Sequence, residues 1–400
     1  MDAIKPVEEQ IAVLTRGAAE IIETEELRHK LSRGKPLVAK LGVDATAPVI
    51  TLGHAVVLRR LAAFQALGHR AVFLIGDETA RVGDPSGRSD TRNALDEQAV
   101  EAAAGAFLEQ VGAILDLSVV EVRRNSEWLR PLGFSGALQL ASRSTVARML
   151  EREDFLKRFR ENQPIYLHEL IYPLMQGYDS VALRADVELG ATEQKFNLLM
   201  GRQLQRDHGI EPQVLVLMPI LTGLDGSQKM SKSLGNYVAI NESPDEMFGK
   251  LMSIPDHLIP EYLLLAADMA TEEVADRERR LGEGSLSPRD LKAEMAERTV
   301  ALYHGAMAAD AAHERFTATF SRREVPKDAP SIHLGDADRS DLAAVLVRAG
   351  LAQSLTEARR LAEQGAVRVG ETRLGWQEDL RQHLGATLRV GRHRFLRVEA

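Results

Sequence analysis

Leu37-Val38-Ala39-Lys40-Leu41-Gly42-Val43-Asp44, followed by Thr51-Leu52-Gly53-His54 and an amphipathic run over residues 55–67, is the stretch that decides the fold. The first segment is a short apolar run of strand length, and the run after His54 carries helical periodicity. A strand that hands the chain to a helix start is the building unit of a parallel sheet. Working outward, the text 70–75 reads as a second strand, 97–115 as a helix and 119–123 as a third strand. A polar helical section spans 126–160, and Gln213-Val214-Leu215-Val216-Leu217-Met218, within 212–219, is another buried strand. A helical stretch over 6–32 precedes them all. This alternation predicts an α/β domain on a doubly wound parallel sheet. Ligands on such sheets sit at the carboxyl ends of the strands, where Asp44, Thr46, Asp77 and Asp84 fall.

The bulk properties bound the reading. Four hundred residues, 44% of them hydrophobic, suffice for two or three domains with substantial cores. No apolar run reaches the roughly 18 residues of a membrane span. The segment Met1-Asp2-Ala3-Ile4-Lys5 lacks the basic-then-apolar order of a secretory signal. Zero cysteines exclude disulfides, thiolate metal sites and cysteine nucleophiles, which suits a cytoplasmic chain. The net charge of -8 argues against indiscriminate nucleic-acid binding, but it is unevenly spread. Residues 339–400 hold 11 arginines and 7 acidic side chains, a net +4, leaving -12 on the rest. A basic end on an acidic body fits either a module that touches phosphates or a solvated helix face.

From residue 243 the strand signal disappears, and Ser287-Pro288 opens a helical pattern to about residue 320. This predicts an α/β domain over 1–235 with a helical insert and an all-α domain over 236–323. The polar segment 324–338, with Pro326 and Pro330, reads as a linker. The module 339–400 contains a capping-box pattern from Ser354 to Glu357 and a helix over 358–364. A left-handed stop at Gly365 and a strand over 366–369 follow.

Two short segments about 175 residues apart carry the chemistry: Leu52-Gly53-His54 and Lys229-Met230-Ser231-Lys232-Ser233. A helix start offers free N–H groups and a positive dipole, so phosphate binds there readily. The second segment follows Gly223-Leu224-Asp225-Gly226, a glycine-hinged loop that can fold over a polyphosphate. Lys229 and Lys232, three apart, can both project toward phosphates whose charge grows in a five-coordinate transition state. Together the segments outline attack of a carboxylate on the α-phosphorus of ATP. ATP is then a substrate carrying Mg²⁺ on its phosphates; no protein-built metal cage and no tightly bound cofactor are expected.

Tyr172, Gln176 and Asp179 share one helix face at i, i+4 and i+7. A phenol, an amide and a carboxylate suit a pocket for a polar small molecule, or simply the polar edge of a half-exposed helix. The turn Gly83-Asp84-Pro85-Ser86-Gly87-Arg88-Ser89 could present Asp84 to an amine. Glu193, in Gly190-Ala191-Thr192-Glu193-Gln194, could accept from ribose hydroxyls. Neither is specific alone.

Taken together these segments resemble the bacterial tyrosyl-tRNA synthetases, a family of class I aminoacyl-tRNA synthetases, over almost the whole chain. The resemblance implies a Rossmann-like catalytic domain, an α-helical anticodon-binding domain and a small α+β S4-like RNA-binding domain. It implies a homodimer that joins L-tyrosine to tRNA(Tyr) through tyrosyl-adenylate. Thr51, His54, Lys229 and Lys232 would be catalytic. Asp44, Thr46, Gly53, His54, Gly190, Glu193, Lys229, Met230, Ser231 and Lys232 would bind ATP. Lys40, Asp84, Tyr172, Gln176, Asp179 and Gln194 would surround tyrosine, with Asp179 on the phenol hydroxyl. Arg359, Arg360, Arg368 and Arg373 are the RNA-phosphate candidates.

The chain departs from the family pattern at Thr51 (a histidine elsewhere), at Lys40 (a tyrosine in many members), at Ala191 and Glu193, and at Glu78-Thr79-Ala80-Arg81. These departures leave open a synthetase-like protein with impaired catalysis that acts by binding RNA, or one that passes the tyrosyl group to another acceptor.

Overall fold

In the computed structural model the described residues are 5–44, 49–84, 97–321, 329–335, 340–370, 372–391 and 394–399. They form two compact units, 1–306 and 307–400.

The first unit is built on six strands: β1 (Glu20–Ile22), β2 (Val38–Val43), β3 (Arg70–Ile75), β4 (Glu121–Arg124), β5 (Val187–Ala191) and β6 (Val214–Met218). Their order is β1-β6-β5-β2-β3-β4. All neighbours are parallel except β1, which runs antiparallel along the β6 edge. All five residues of β6 are buried, and β3 is buried from Ala71 onward, as expected of strands covered on both faces. The chain moves from β2 through β3 to β4 on one side and from β5 to β6 on the other. The switch point therefore lies between β2 and β5, and a crevice opens there at their carboxyl ends.

The helix Leu52–Ala66 follows β2 and the helix Leu167–Leu183 precedes β5. The polar section 126–160 is three helices, Ser126–Ala141, Val146–Met149 and Glu153–Arg160. The first bends at Gly133, whose φ of 58° is not helical. β1 and β5 have no counterpart among the strands expected from sequence. β1 is three residues long, and β5 hides inside a polar-looking motif because Glu188 is buried in it.

Helices Pro244–Met252, Ile259–Leu265, Thr271–Gly282 and Pro288–His304 continue the first unit rather than forming a separate body. Ser243 caps the first of them, accepting from Glu246 N. The helix expected to reach residue 320 ends at His304 against Gly305, whose φ of 83° breaks it, and Ala306–Phe316 begins anew.

The second unit carries strands β7 (Ser331–His333), β8 (Val367–Val369), β9 (Thr372–Arg373), β10 (Thr387–Val390) and β11 (Arg394–Glu399), in the order β7-β11-β10-β8-β9. Helices Leu342–Arg348 and Leu355–Glu363 share a core with it, including Leu346, Ala358, Val367 and Leu388. Ser354 caps its helix as the pattern predicts, while Glu357 reaches Gln353 N instead of the cap residue's own N–H. Gly365 adopts φ 67°. Most of the expected linker 324–338 lies outside the described residues, but 331–333 within it pair as β7 with β11. Arg339 also lies outside them.

Candidate active site

The crevice at the β2/β5 switch point holds a cavity of about 470 Å³. Its walls bring together Asp44, Thr51, Gly53, His54, Asp84, Tyr172, Gln176, Asp179, Glu193, Gln194 and the loop Lys229 to Ser233. Of the site residues expected from sequence, Thr46 lies outside the described residues. Gly190 and Lys40 do not reach the cavity. Gly190 is buried in β5, where an added methyl would press on Leu198 and Gln194. Lys40 is fully buried behind the crevice, with Nζ 3.0 Å from Glu188 Oε1. The resemblance could not foresee this, because an ammonium in a sheet interior needs a carboxylate beside it. Glu188, on the neighbouring strand, supplies one.

His54 sits in the first turn of Leu52–Ala66, with Thr51 as the cap. The Thr51 N–H donates to His54 Nδ1 at 3.2 Å, and Thr51 Oγ1 lies 2.8 Å from the same nitrogen. A backbone N–H can only donate, so Nδ1 is the acceptor and a neutral ring carries its proton on Nε2. His54 is exposed by surface area at the cavity mouth, although many protein atoms lie around the ring. That desolvation, with the Lys232 ammonium nearby, pushes its pKa down to about 4. Residue 51 thus holds the ring in the tautomer that donates from Nε2.

The loop bearing the lysines is rooted just after β6. Met230 N donates to Leu221 O, and Gly223 N to Gln228 O, closing a tight hairpin. Asp225 accepts from Ser227 N at 2.8 Å and Gln228 N at 2.7 Å, and these N–H groups hold its carboxyl well below the usual range. Both backbone groups of Thr222 are gripped from Ile259–Leu265: its N–H donates to Glu261 Oε1 at 2.6 Å, and Tyr262 OH donates to its carbonyl at 2.6 Å. Thr222 Oγ1 adds a bond to Glu261 Oε2 at 3.0 Å. Lys229 Nζ lies 3.0 Å from Glu193 Oε2, and Lys232 Nζ donates to Val49 O at 3.0 Å.

At the deep end, Asp179 is buried and accepts from Trp128 Nε1 at 2.7 Å. Asn125 Nδ2 lies 3.4 Å from its other oxygen and 3.0 Å from Thr79 Oγ1. Burial raises the Asp179 carboxyl to about 7, against the lowering pull of Lys40, Trp128 and Asn125. Tyr172 OH donates to Asp44 Oδ2 at 3.0 Å, and burial raises that phenol well above its ordinary value. Sequence reasoning missed Asn125 and Trp128. Asn125 directly follows β4, so the carboxyl-end rule would have found it. Trp128, one of only two tryptophans, carried no local signal.

In the second unit Arg359, Arg360 and Arg373 are exposed and Arg368 is half-buried. Arg359 stacks 4.5 Å over Trp376, and Arg368 Nε donates to Gly365 O at 3.3 Å.

A cleft at a sheet switch point, with a donor histidine at a helix start and paired lysines opposite, defines a class I synthetase site. Residues 32–321 match the family model for tRNA synthetases class I (W and Y), and 342–374 match that of the S4 domain. The chain is 51% identical over 397 residues to a tyrosine–tRNA ligase of Moorella thermoacetica, covering 98% of this chain and 96% of that one. A Thermotoga maritima tyrosine–tRNA ligase is 46% identical over 395 residues, covering 98% and 97%. In fold it is similar to the tyrosyl-tRNA synthetase of Archaeoglobus fulgidus, solved with L-tyrosine. That likeness has a TM-score of 0.63 at 24% identity, over 77% of this chain and 100% of that one. The chain belongs to the tyrosine–tRNA ligase family of class I tRNA synthetases.

Proposed function

We infer that this chain is a tyrosine–tRNA ligase. The carboxylate of L-tyrosine attacks the α-phosphorus of ATP, giving tyrosyl-adenylate and releasing pyrophosphate. A hydroxyl of the terminal ribose of tRNA(Tyr) then attacks the adenylate carbonyl and releases AMP. The observation that carries the reading is Asp179, a buried carboxylate held by Trp128 and Asn125 at the deep end of a cleft whose mouth bears His54, Lys229 and Lys232. A phenol hydroxyl meets an acceptor there, and polyphosphate meets three donors.

ATP enters as its magnesium complex. His54 donates from Nε2 to a phosphate oxygen, and Thr51 keeps the ring in that tautomer. Lys229 and Lys232 exchange Glu193 and Val49 O for phosphate as charge builds on the leaving pyrophosphate. Asp44, Gly53, Glu193, Met230 and Ser231 hold the nucleotide, with Thr46 and Gly190 assigned to it by resemblance alone. Asp84, Tyr172, Gln176 and Gln194 hold the amino-acid end.

The remaining assignments are part of the same reading. Exposed apolar side chains Phe134, Leu138, Val146 and Leu167, on the helices of the insert and the start of Leu167–Leu183, support a homodimer formed through that face. Residues 236–323 approach the anticodon, and Arg359, Arg360, Arg368 and Arg373 in 339–400 contact tRNA phosphates. The protein works in the cytoplasm; no helix among the described residues is long and apolar enough to cross a membrane.

Exchange of labelled pyrophosphate into ATP, run with each of the twenty amino acids and no tRNA, tests the first step. Exchange with tyrosine alone is expected, followed by tyrosylation when tRNA(Tyr) is added. No exchange with any amino acid would return the chain to the RNA-binding alternative.

A further inference from the structure

An amide has two chemically different ends, and only its oxygen can accept from an ammonium ion. The buried surroundings of Gln176 select the orientation from both sides. Arg152, the residue before the helix Glu153–Arg160, is buried, and its Nη1 donates to Asn197 Oδ1 at 3.0 Å. A guanidinium has no acceptor, so the Asn197 atom that faces it must be the carbonyl oxygen. The Asn197 amide nitrogen then points the other way and donates to Gln176 Oε1 at 2.9 Å.

On the opposite side Gln176 Nε2 lies 3.5 Å from Glu188 Oε1, a carboxylate that only accepts. Glu188 is buried and held in turn by Lys40 Nζ at 3.0 Å, Ser180 Oγ at 3.1 Å and Gln213 Nε2. Arg152 Nη2 also pairs with Asp84 Oδ1 at 3.5 Å, and its Nε with Asp154 at 2.8 Å. One buried cation therefore acts on two walls of the cavity without lining it.

We propose that Arg152 is a positioning residue for recognition of the substrate's α-ammonium. Through Asn197 it fixes the Gln176 amide so that the second lone pair of Oε1 is kept for that ammonium, and it steadies Asp84 directly. Lys40 and Glu188 hold the nitrogen end of the same amide. Lys40 thus serves the amino-acid site from behind it.

The inference rests on the tyrosine-activating reading, so wild-type exchange with tyrosine is measured first; its failure would sink that reading before any variant is compared. Two inhibitors that differ only in the amino group, tyrosinol and 3-(4-hydroxyphenyl)propan-1-ol, then read the ammonium site. Arg152→Met should raise the KM for tyrosine and the Ki of tyrosinol roughly 10- to 100-fold, the value of a lost hydrogen bond to a charged group. It should leave the Ki of the des-amino alcohol and the kcat close to wild type. Arg152→Lys, which keeps one donor, should recover part of the loss. Adding Arg152→Met to Gln176→Ala should cost much less than it does alone.

Equal weakening of both inhibitors would assign Arg152 a merely structural role and overturn the proposal, as would full additivity with Gln176→Ala. Asn197→Asp provides an independent arm should Arg152→Met not fold. Offering acceptors only, it turns the Gln176 nitrogen toward itself and should weaken tyrosinol selectively. Unchanged or tighter tyrosinol binding by that variant would overturn the proposal.

Discussion

Asp179 and His54 face one cavity with pKa values moved in opposite senses. Asp179 is raised to about 7, chiefly by burial, so its ionisation opposes folding. Stability on its account is full below the ordinary carboxyl pKa of about 3.9 and is lost as pH rises through about 7. His54 is moved the other way, to about 4, by desolvation and the Lys232 ammonium, but its ring is exposed by surface area, so its effect on folding stability is small. Replacement of Asp179 by Asn should therefore flatten the decline of unfolding free energy between pH 4 and 7 in urea titrations. Ligand binding gives a sharper readout. An ionised carboxylate is the better acceptor for a phenol, so tyrosine affinity should rise as pH passes about 7. Calorimetry in buffers of different ionisation enthalpy should detect a released proton, which Asp179→Asn abolishes.

Selectivity is expected to follow from the same residue. Asp179→Ala should raise the KM for tyrosine roughly 10- to 100-fold, since one hydrogen bond to a charged group is lost. The ratio of tyrosine to phenylalanine activation should fall with it, and unchanged selectivity would remove Asp179 from the role. His54, neutral across the working range, should give no inflection in kcat between pH 5 and 8. His54→Gln, which can donate, should retain more exchange activity than His54→Ala.

At the scale of elements, the Thr222 grip is the feature with the clearest kinetic consequence. Glu261 and Tyr262 satisfy both backbone groups of the residue from which the lysine loop springs. Of these, the bonds to the Glu261 carboxylate are charge-assisted and contribute about 1.5–3 kcal/mol each. Glu261→Ala should loosen the loop, so the rate of adenylate formation should fall by roughly tenfold or more while the KM for tyrosine stays put. Matching losses in both would mean that the whole cleft, not the loop, had been disturbed.

Elements were also where sequence and structure parted company. β6 and, after Arg70, β3 were legible because 214–218 and 71–75 hold no polar residue. β2 was legible despite Lys40, and β4 through the apolar Val119-Val120 that precede it, although the strand itself is Glu-Val-Arg-Arg. β5 was not, because Glu188 belongs to a buried ion pair formed with a residue about 150 positions away. A period-based reading cannot see such a partner. The same cause explains Lys40, whose ammonium looked available until Glu188 was found beside it. Tyr172, Gln176 and Asp179 were legible because helical spacing alone puts them on one face. Trp128, which holds Asp179, comes from a helix whose approach depends on tertiary packing.

At the scale of the whole molecule, each unit has its own core, and the second closes Val367, Leu388 and Leu346 into a cluster of its own. Removing residues 322–400 should therefore leave tyrosine-dependent pyrophosphate exchange near wild type while tyrosylation of tRNA falls steeply. Added salt should depress tRNA binding by the full chain much more than by the shortened one, because phosphate contacts release counter-ions. Loss of exchange on truncation would mean that the second unit supports the fold of the first.

The pairing of Lys229 with Glu193 makes the resting cleft its own counter-ion. A polyphosphate arriving there meets a lysine already neutralised and must trade places with a carboxylate. In the role proposed for Lys229, binding would swap one partner for another instead of adding a fresh attraction, which would keep ground-state affinity for ATP modest. The full pull of the ammonium would then be kept for the moment when a departing pyrophosphate offers it more charge than Glu193 can.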